Sequence, residues 1–310
     1  MNKELNYIKA VTLICFAFGV LGVGFALASD SSSMMFDGLY SLIQSIFILL
    51  SGFVVRLIGR KDDEYYQFGY GSFEPFYIVM RTIVLLSMNG TLLYEAVTSL
   101  MNGGREVDAS LALLFTFISI VGCTAVYIVL RREAKALNSP LLKAESRSWL
   151  NDILISVSVL ISFGIMALLK STGHQQIAKY IDPLITILFV IFLAPPLVKQ
   201  MVHAIKDLLD AAPPQEVQDR LERIVEGYAE KYGFKDYLIY SSKRGRTVTA
   251  MIHIILSEDL PVSRLDGIRK QILCDIHSSW QWSDTDIVFT LDPSWMEYAV
   301  PSASSEGLIG

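Results

Sequence analysis

Six long apolar stretches dominate the first two thirds of this 310-residue chain. Each stretch approaches or exceeds the ~20 residues that an α-helix needs to cross the hydrocarbon core of a bilayer. They run roughly over Tyr7–Ala28, Met34–Leu57, Phe76–Leu100, Ala109–Leu130, Leu142–Leu169 and Ile177–Lys206. The pattern predicts an all-α transmembrane bundle of six helices over residues 1–207.

The composition supports a membrane protein and excludes several other classes. Hydrophobic residues make up 52% and charged residues 18% of the chain, whereas soluble domains carry about 25% charge. The three cysteines are far apart and form no CxxC motif, which argues against a disulfide scaffold or a zinc–cysteine site. The net charge of −5 argues against a nucleic-acid partner.

The first stretch has an alternative interpretation as a signal peptide. Lys3 and Lys9 precede an apolar run that ends in Ala26-Leu27-Ala28, which is similar to a cleavage site. The five further stretches that follow favour a membrane span.

Positive charges indicate the orientation of the helices. With the N-terminus inside, the inner segments hold Lys3, Lys9, Arg56, Arg60, Lys61, Arg131, Arg132, Lys135, Lys143 and Arg147, and the outer loops hold Arg105, Lys170 and Lys179. Cytoplasmic loops carry such an excess of Lys and Arg. We therefore expect an integral protein of the bacterial inner (plasma) membrane with both termini in the cytoplasm.

The remaining residues predict a small cytoplasmic α/β domain over residues 208–300. Apolar residues recur with helical spacing from Val217 to Tyr228, and Gly233 ends this helix. Strands Tyr237–Ser241 and Thr247–Leu256, a helix over Ser263–Ser278 and a strand over Asp286–Leu291 follow. The order is αββαβ. Residues 301–310, rich in Ser and Gly, are expected to form a disordered tail.

Carboxylates within the apolar stretches are the main functional signal. An aspartate near the centre of a spanning helix costs roughly 2.5–3.5 kcal/mol on insertion. Asp37 and Ser41 are four residues apart, as are Ser148 and Asp152, so each pair lies on one helix face. Gln44 extends the first face and Asn151 adjoins Asp152.

The two aspartates also lie at similar depth. Asp37 is ~9 Å from the outer end of its helix, and Asp152 is ~14 Å from the outer side of a ~30 Å core. A group of two carboxylates and two hydroxyls suits a hard cation with oxygen ligands.

A structural alternative stays open for the same residues. Asp37 and Asp152 would then cap helices or pair with a buried arginine such as Arg81. Asp182 precedes Pro183 at a predicted helix start, where a carboxylate is favoured for structural reasons.

These features together resemble the cation diffusion facilitator (cation efflux) family over nearly the whole chain. Phe68-Gly69-Tyr70-Gly71-Ser72-Phe73-Glu74 is similar to the FGHGKxE segment before span three, which makes Glu74 a secondary site candidate. Asp37 matches the first aspartate of the family's DxxxD motif, and Asp152 matches the aspartate of its HxxxD motif. Asp182-Pro183-Leu184 and Leu208-Leu209-Asp210 match the start of span six and the junction before the cytoplasmic domain. The resemblance implies a ferredoxin-like, metallochaperone-type cytoplasmic domain and a homodimer held by that domain and the membrane helices.

The chain departs from the zinc-binding members of the family at several ligand positions. Ser41 replaces the second aspartate of DxxxD, Ser148 replaces the histidine of HxxxD, and Tyr70 replaces the loop histidine. In the last strand Asp292 remains, but Thr290 stands where the family has histidine. A site without nitrogen ligands binds zinc poorly, and we expect the loop and tail metal sites to be lost or weakened.

The resemblance implies a divalent-cation efflux transporter, with no tightly bound cofactor and no enzymatic activity. Its cargo would be Mn²⁺, Mg²⁺, Fe²⁺, Co²⁺ or Zn²⁺, with hard, oxygen-liking ions favoured, and proton antiport would drive alternating access. The ion would lie between helices two and five, at Asp37, Ser41, Ser148, Asn151 and Asp152, with Gln44, Asp182 and Glu74 as secondary candidates. Two alternatives remain, a non-transporting dimer partner or metal sensor and, more remotely, an intramembrane aspartyl protease, although the chain has no GxGD motif.

Overall fold

The computed structural model describes residues 2–29, 32–60, 62–104, 109–172 and 174–296. The chain divides into two compact units, Met1–Lys206 and Asp207–Gly310. The first is helical and the second contains a three-stranded sheet with two helices. The predicted disordered tail, 301–310, lies outside the described residues.

The first unit consists of long helices. They are α1 (Asn2–Ser29), α2 (Ser32–Ile58), α3 (Phe73–Met101), α4 (Ala109–Ala136), α5 (Pro140–Ser171) and α6 (Gln175–Leu208). Among the described residues, five of these helices are long and apolar enough to cross a membrane, namely α1, α2, α3, α5 and α6. In α4 the side chains of residues 109–112 and 115 lie outside the described set.

Helices α1 and α2 approach closely because glycine stands at two contact points. A Cβ atom on Gly19 would lie 2.7 Å from Leu42 Cδ2, and one on Gly38 would lie 2.5 Å from the backbone nitrogen of Val23. Small residues permit such backbone approach between membrane helices. Helix α2 is therefore held tightly along α1, with Gln44 and Ser45 buried on α2.

The core of the first unit contains side chains of every helix from α1 to α6. Its buried members include Ile8 and Cys15 of α1, Ile48 of α2, Tyr77 of α3, Cys123 and Leu130 of α4, Leu142 and Trp149 of α5, and Ala204 of α6. This packing sets the rotation of α2, α3 and α5, and hence the directions of their polar side chains.

The second unit has the element order αββαβ. It comprises α7 (Gln215–Tyr232), β1 (Asp236–Arg244), β2 (Thr247–Ile255), α8 (Val262–Ser279) and β3 (Ser283–Thr290), followed by a short 3₁₀ turn over Pro293–Met296. Strand β2 is central, antiparallel to β1 from Asp236↔Ile255 to Arg244↔Thr247 and parallel to β3 from Val248↔Ser283 to Ile255↔Thr290. Buried side chains of α7, α8 and β2 form its core, including Leu221, Val225, Ile252, Ile254, Ile268, Ile272 and Ile276.

The loop between α2 and α3 is organised by Asp63. Its carboxylate accepts the backbone N–H groups of Tyr65 and Tyr66 at 3.0 and 2.9 Å, and it also accepts the hydroxyl of Tyr70. The Tyr70 hydroxyl, followed by the Tyr66 N–H, holds the pKa of Asp63 below its usual value. The rings of Tyr66 and Tyr70 lie 4.6 Å apart between centroids.

We expect this loop order to depend on the ionisation of Asp63. A carboxylate with a lowered pKa in the folded state stabilises that state above its unfolded pKa, and the contribution is lost as pH falls through the folded pKa. Tyr70→Phe should therefore increase amide hydrogen exchange in residues 64–70 at pH 7. The difference from the parent chain should vanish below the folded pKa of Asp63.

The neighbouring carboxylate supplies the matched control for this measurement. Asp62 takes no part in the three hydrogen bonds of Asp63, so Asp62→Asn should leave the exchange of residues 64–70 unchanged. Equal exchange in Tyr70→Phe and the parent chain at pH 7 would contradict the assigned role of the Asp63 contact.

Candidate metal site

Helix α2 carries three of the predicted site residues on one face. Asp37, Ser41 and Gln44 follow at helical spacing within Ser32–Ile58. The side chain of Asp37 lies outside the described set. Ser41 is half-buried and its carbonyl oxygen accepts the thiol of Cys15 at 3.3 Å. Gln44 is buried, with 4% of its surface exposed.

Helix α5 carries the other predicted residues. Asp152 is half-buried, and its Oδ2 atom accepts a hydrogen bond from Gln44 Nε2 at 3.3 Å. Ser148, one turn earlier, is fully buried, and among the described residues its hydroxyl has no hydrogen-bond partner. The structure thus joins Asp152 of α5 to the polar face of α2.

Asn151 faces a second amide on α3. Asn89 Nδ2 donates to Asn151 Oδ1 at 3.1 Å, and Asn151 Nδ2 donates back to Asn89 Oδ1 at 3.4 Å. Both side chains are buried. Because a carbonyl oxygen has two lone pairs, Asn151 Oδ1 retains one position for a further contact.

A buried ion pair lies on the opposite side of Gln44 from Asp152. Arg81 Nη2 donates to Gln44 Oε1 at 2.6 Å and lies 3.4 Å from Glu145 Oε2. The Tyr77 hydroxyl also donates to Glu145. Arg81 therefore contacts both Gln44 and Glu145, and a chain of polar side chains runs from Tyr77 to Asp152.

Sequence reasoning missed Glu145 and Tyr77, and it considered Arg81 only as a partner for an aspartate. Their spacing in the sequence could have indicated that these residues lie on the same helix faces as other polar residues. Tyr77 and Arg81 are four residues apart on α3, and Glu145 precedes Asp152 by seven residues, or two turns, on α5. Charged residues within apolar spans are rare and face the bundle interior or a partner.

The two remaining secondary candidates lie elsewhere on their helices. Glu74 is fully buried in the first turn of α3, where the helix dipole favours a carboxylate, and it is ~10 Å along the helix from Arg81. Asp182 lies within α6, which begins at Gln175. The interpretation of Asp182 as a residue at the helix start was therefore wrong, because the helix extends almost two turns further back.

Tyr70 and Asp292, which the resemblance matches to ligand positions of zinc-binding members, make other contacts in this chain. Tyr70 donates its hydroxyl to Asp63 in the α2–α3 loop. Asp292, just after β3, accepts the backbone N–H and hydroxyl of Ser294 at 2.9 and 2.7 Å. His253 is buried in β2 with its ring edge-on to Tyr240 at 6.1 Å.

The atoms on α2 and α5 that could bind a metal ion are oxygen atoms. Within the described part of the chain, to which the side chain of Asp37 does not belong, no three His, Cys, Asp or Glu residues are grouped closely enough to hold a metal ion. Carboxylate, hydroxyl and amide oxygens suit hard cations such as Mg²⁺ and Mn²⁺.

Several known proteins are similar to this chain in sequence. The sequence model of the family described as "Cation efflux transmembrane domain" matches residues 8–209. The chain is 20% identical to the cation-efflux pump FieF of Shewanella oneidensis, over 87% of this chain and 88% of that protein. It is 27% identical to the magnetosome protein MamB of a Magnetospira species, over 83% and 85% of the two chains.

A human protein is also similar. The probable proton-coupled zinc antiporter SLC30A4 of Homo sapiens is 22% identical, over 80% of this chain and 61% of that protein. The family match covers well over half of the chain, and five apolar helices in the described part of the chain are long enough to span a membrane. The chain is therefore an integral membrane protein that belongs to the cation diffusion facilitator family of divalent-cation efflux transporters.

Proposed function

We propose that this chain exports a divalent cation by exchange against protons, with the ion held between α2 and α5. The ligands would be Asp37, Ser41, Ser148 and Asp152, with Asn151 beside them. The observation that carries the proposal is the 3.3 Å hydrogen bond from Gln44 Nε2 to Asp152 Oδ2. It supports a convergence of the α5 carboxylate with the α2 face on which Asp37 and Ser41 lie.

The chemistry of the ligands supports ion exchange. A carboxylate binds either protons or a metal ion, so metal binding competes with protonation and depends on pH. In many secondary transporters, one bundle of helices rocks against another around a central site. Two carboxylates with hydroxyl groups and retained water suit Mn²⁺ or Mg²⁺ better than Zn²⁺.

The proposed architecture completes the transport unit. We propose that α4 is the sixth span, that both termini lie in the cytoplasm, and that the membrane is the bacterial inner membrane. The domains would be 1–207 for transport, 208–300 for a ferredoxin-like cytoplasmic domain and 301–310 for a tail. The sheet β1-β2-β3 with α7 and α8 is consistent with such a fold.

One observation favours a second function. Ser41 and Ser148 stand where zinc-binding family members have an aspartate and a histidine, and Ser148 is completely buried. A chain with this weakened site would act as a dimer partner or a metal sensor. Transport of Mn²⁺, Mg²⁺, Fe²⁺, Co²⁺ or Zn²⁺ by the purified protein alone in liposomes, with and without a pH gradient, distinguishes the two functions.

We expect Asp37→Asn and Asp152→Asn each to impair transport severely. Each carboxylate supplies half of the negative charge of the site, and affinity for hard cations depends on ligand charge. The transport rate in liposomes should fall by about tenfold or more, while the thermal unfolding temperature is kept or raised because a buried charge is removed.

Glu95→Gln provides the control for these variants. This carboxylate also lies on a membrane helix, α3, but its side chain is exposed. Its transport rate should match that of the parent. Normal transport by Asp152→Asn would show that the ion binds elsewhere, and a large loss of stability would indicate a structural role for the aspartate.

The double variant Ser41→Asp with Ser148→His should shift the preference of the site toward zinc. The imidazole adds a nitrogen ligand that Zn²⁺ favours, and the third carboxylate raises the charge of the site. Competition between Zn²⁺ and Mn²⁺ in the liposome assay measures this shift. An unchanged ratio of the two rates would place the ion away from these positions.

We propose that the protein works as a homodimer, held by the cytoplasmic domain and by membrane helices. Mass measurement in mild detergent should give twice the mass of the 34.6 kDa chain. The dimer should persist in Asp152→Asn, because that change lies in the cation site. A monomer at every protein concentration tested would contradict the proposal.

A further inference from the structure

Arg81 is a completely buried cation that contacts Gln44, whose amide is hydrogen-bonded to Asp152 of the candidate cation site. Its exposed fraction is 0%, and its guanidinium lies 5.6 Å from the centroid of the Phe47 ring. Glu145, also buried, lies 3.4 Å from Nη2 and balances the charge of Arg81. The same Nη2 atom donates to Gln44 Oε1 at 2.6 Å. The contact with Gln44 is the shorter of the two.

The guanidinium determines which way the amide of Gln44 points. Arginine has five N–H donors and no acceptor, so only the oxygen of the amide can face it. The nitrogen of Gln44 must then face the other way, where it donates to Asp152 Oδ2 at 3.3 Å. This orientation follows from donor and acceptor chemistry, because the reversed amide would place N–H groups against N–H groups.

We infer that Arg81 is a positioning residue that withholds the oxygen of Gln44 from the transported cation. This inference rests on the proposed site at Asp37 and Asp152. A divalent cation requires lone pairs, and Gln44 presents hydrogen atoms to Asp152. The ion consequently has one protein oxygen fewer than the residue types on α2 suggest, and it keeps a water molecule in that place.

The withheld ligand affects selectivity. Ca²⁺ takes six to eight oxygen ligands, whereas Mg²⁺ dehydrates reluctantly and usually keeps several waters. A site that offers few protein oxygens therefore disfavours Ca²⁺ more than it disfavours Mg²⁺ or Mn²⁺. Arg81 sets this limit without contacting the ion.

The test removes the ion pair as a unit in the full-length protein. Arg81→Met with Glu145→Gln deletes both charges, so no unpaired charge remains buried. The amide of Gln44 can then turn its oxygen toward a cation bound at Asp152. Mn²⁺ affinity, measured by calorimetry on the purified protein, should rise by about tenfold, the scale on which outer-shell partners alter metal affinity. Ca²⁺ affinity should rise by a larger factor.

A third substitution identifies the source of the gain. Adding Gln44→Leu to the paired variant should abolish the increase in affinity, because the gained ligand is then missing. Arg81→Lys should bind Mn²⁺ with the same affinity as the parent chain, since an ammonium group also has donors and no acceptor. Arg147→Met is the matched control, because Arg147 donates to a different glutamine, Gln200, at 3.0 Å, and its loss should leave Mn²⁺ affinity unchanged.

The outcomes separate this inference from the proposed function. Undiminished Mn²⁺ binding by Asp152→Asn would overturn the proposed site. Equal or weaker binding by the paired variant, or a gain that survives Gln44→Leu, would overturn the role of Arg81 while leaving that site in place. If the Met variant does not fold, Arg81→Gln with Glu145→Gln is measured instead. Glutamine carries both a donor and an acceptor, so it no longer fixes the amide of Gln44, and the same gain is expected.

Discussion

Arg81 carries a full positive charge inside a bundle of apolar helices. The need to pair this charge determines where the other buried polar side chains of the first unit lie. A buried charge is tolerated more readily when an opposite charge lies beside it. Arg81 on α3 is paired with Glu145 of α5 and donates a hydrogen bond to Gln44 of α2, both through its Nη2 atom. Three helices are thereby tied to one side chain, and their relative rotation is restricted.

The same requirement explains why the polar residues form a continuous chain. Glu145 accepts a hydrogen bond on its other side from the hydroxyl of Tyr77, whose oxygen also lies 3.0 Å from the carbonyl oxygen of Phe47. Gln44 in turn donates a hydrogen bond to Asp152. The side-chain amides of Asn89 and Asn151 are hydrogen-bonded to each other. Buried polar networks of this kind are stable only when their members are paired.

Most ends of the regular elements could be predicted from the sequence to within three residues, because the length of apolar stretches and hydrophobic periodicity determine them. The start of α1 and the end of α4 differ by five and six residues. The predicted span Phe76–Leu100 corresponds to α3, Phe73–Met101, and the predicted strand Tyr237–Ser241 continues to Arg244 because pairing with β2 extends to the turn. The contact between Gln44 and Asp152 could not be predicted, because it depends on the relative rotation of α2 and α5. The same holds for Glu145, whose partners lie 64 and 68 residues away in the chain.

The contact between Tyr70 and Asp63 holds the α2–α3 loop in place, at a position where the resemblance implies a histidine in zinc-binding members. The loop is organised by a phenol and a carboxylate that the polypeptide itself supplies. Its order is therefore established when the chain folds and does not have to wait for an ion to arrive. A chelator added to this protein should leave the loop intact, so changes seen on chelation can be attributed to other parts of the molecule.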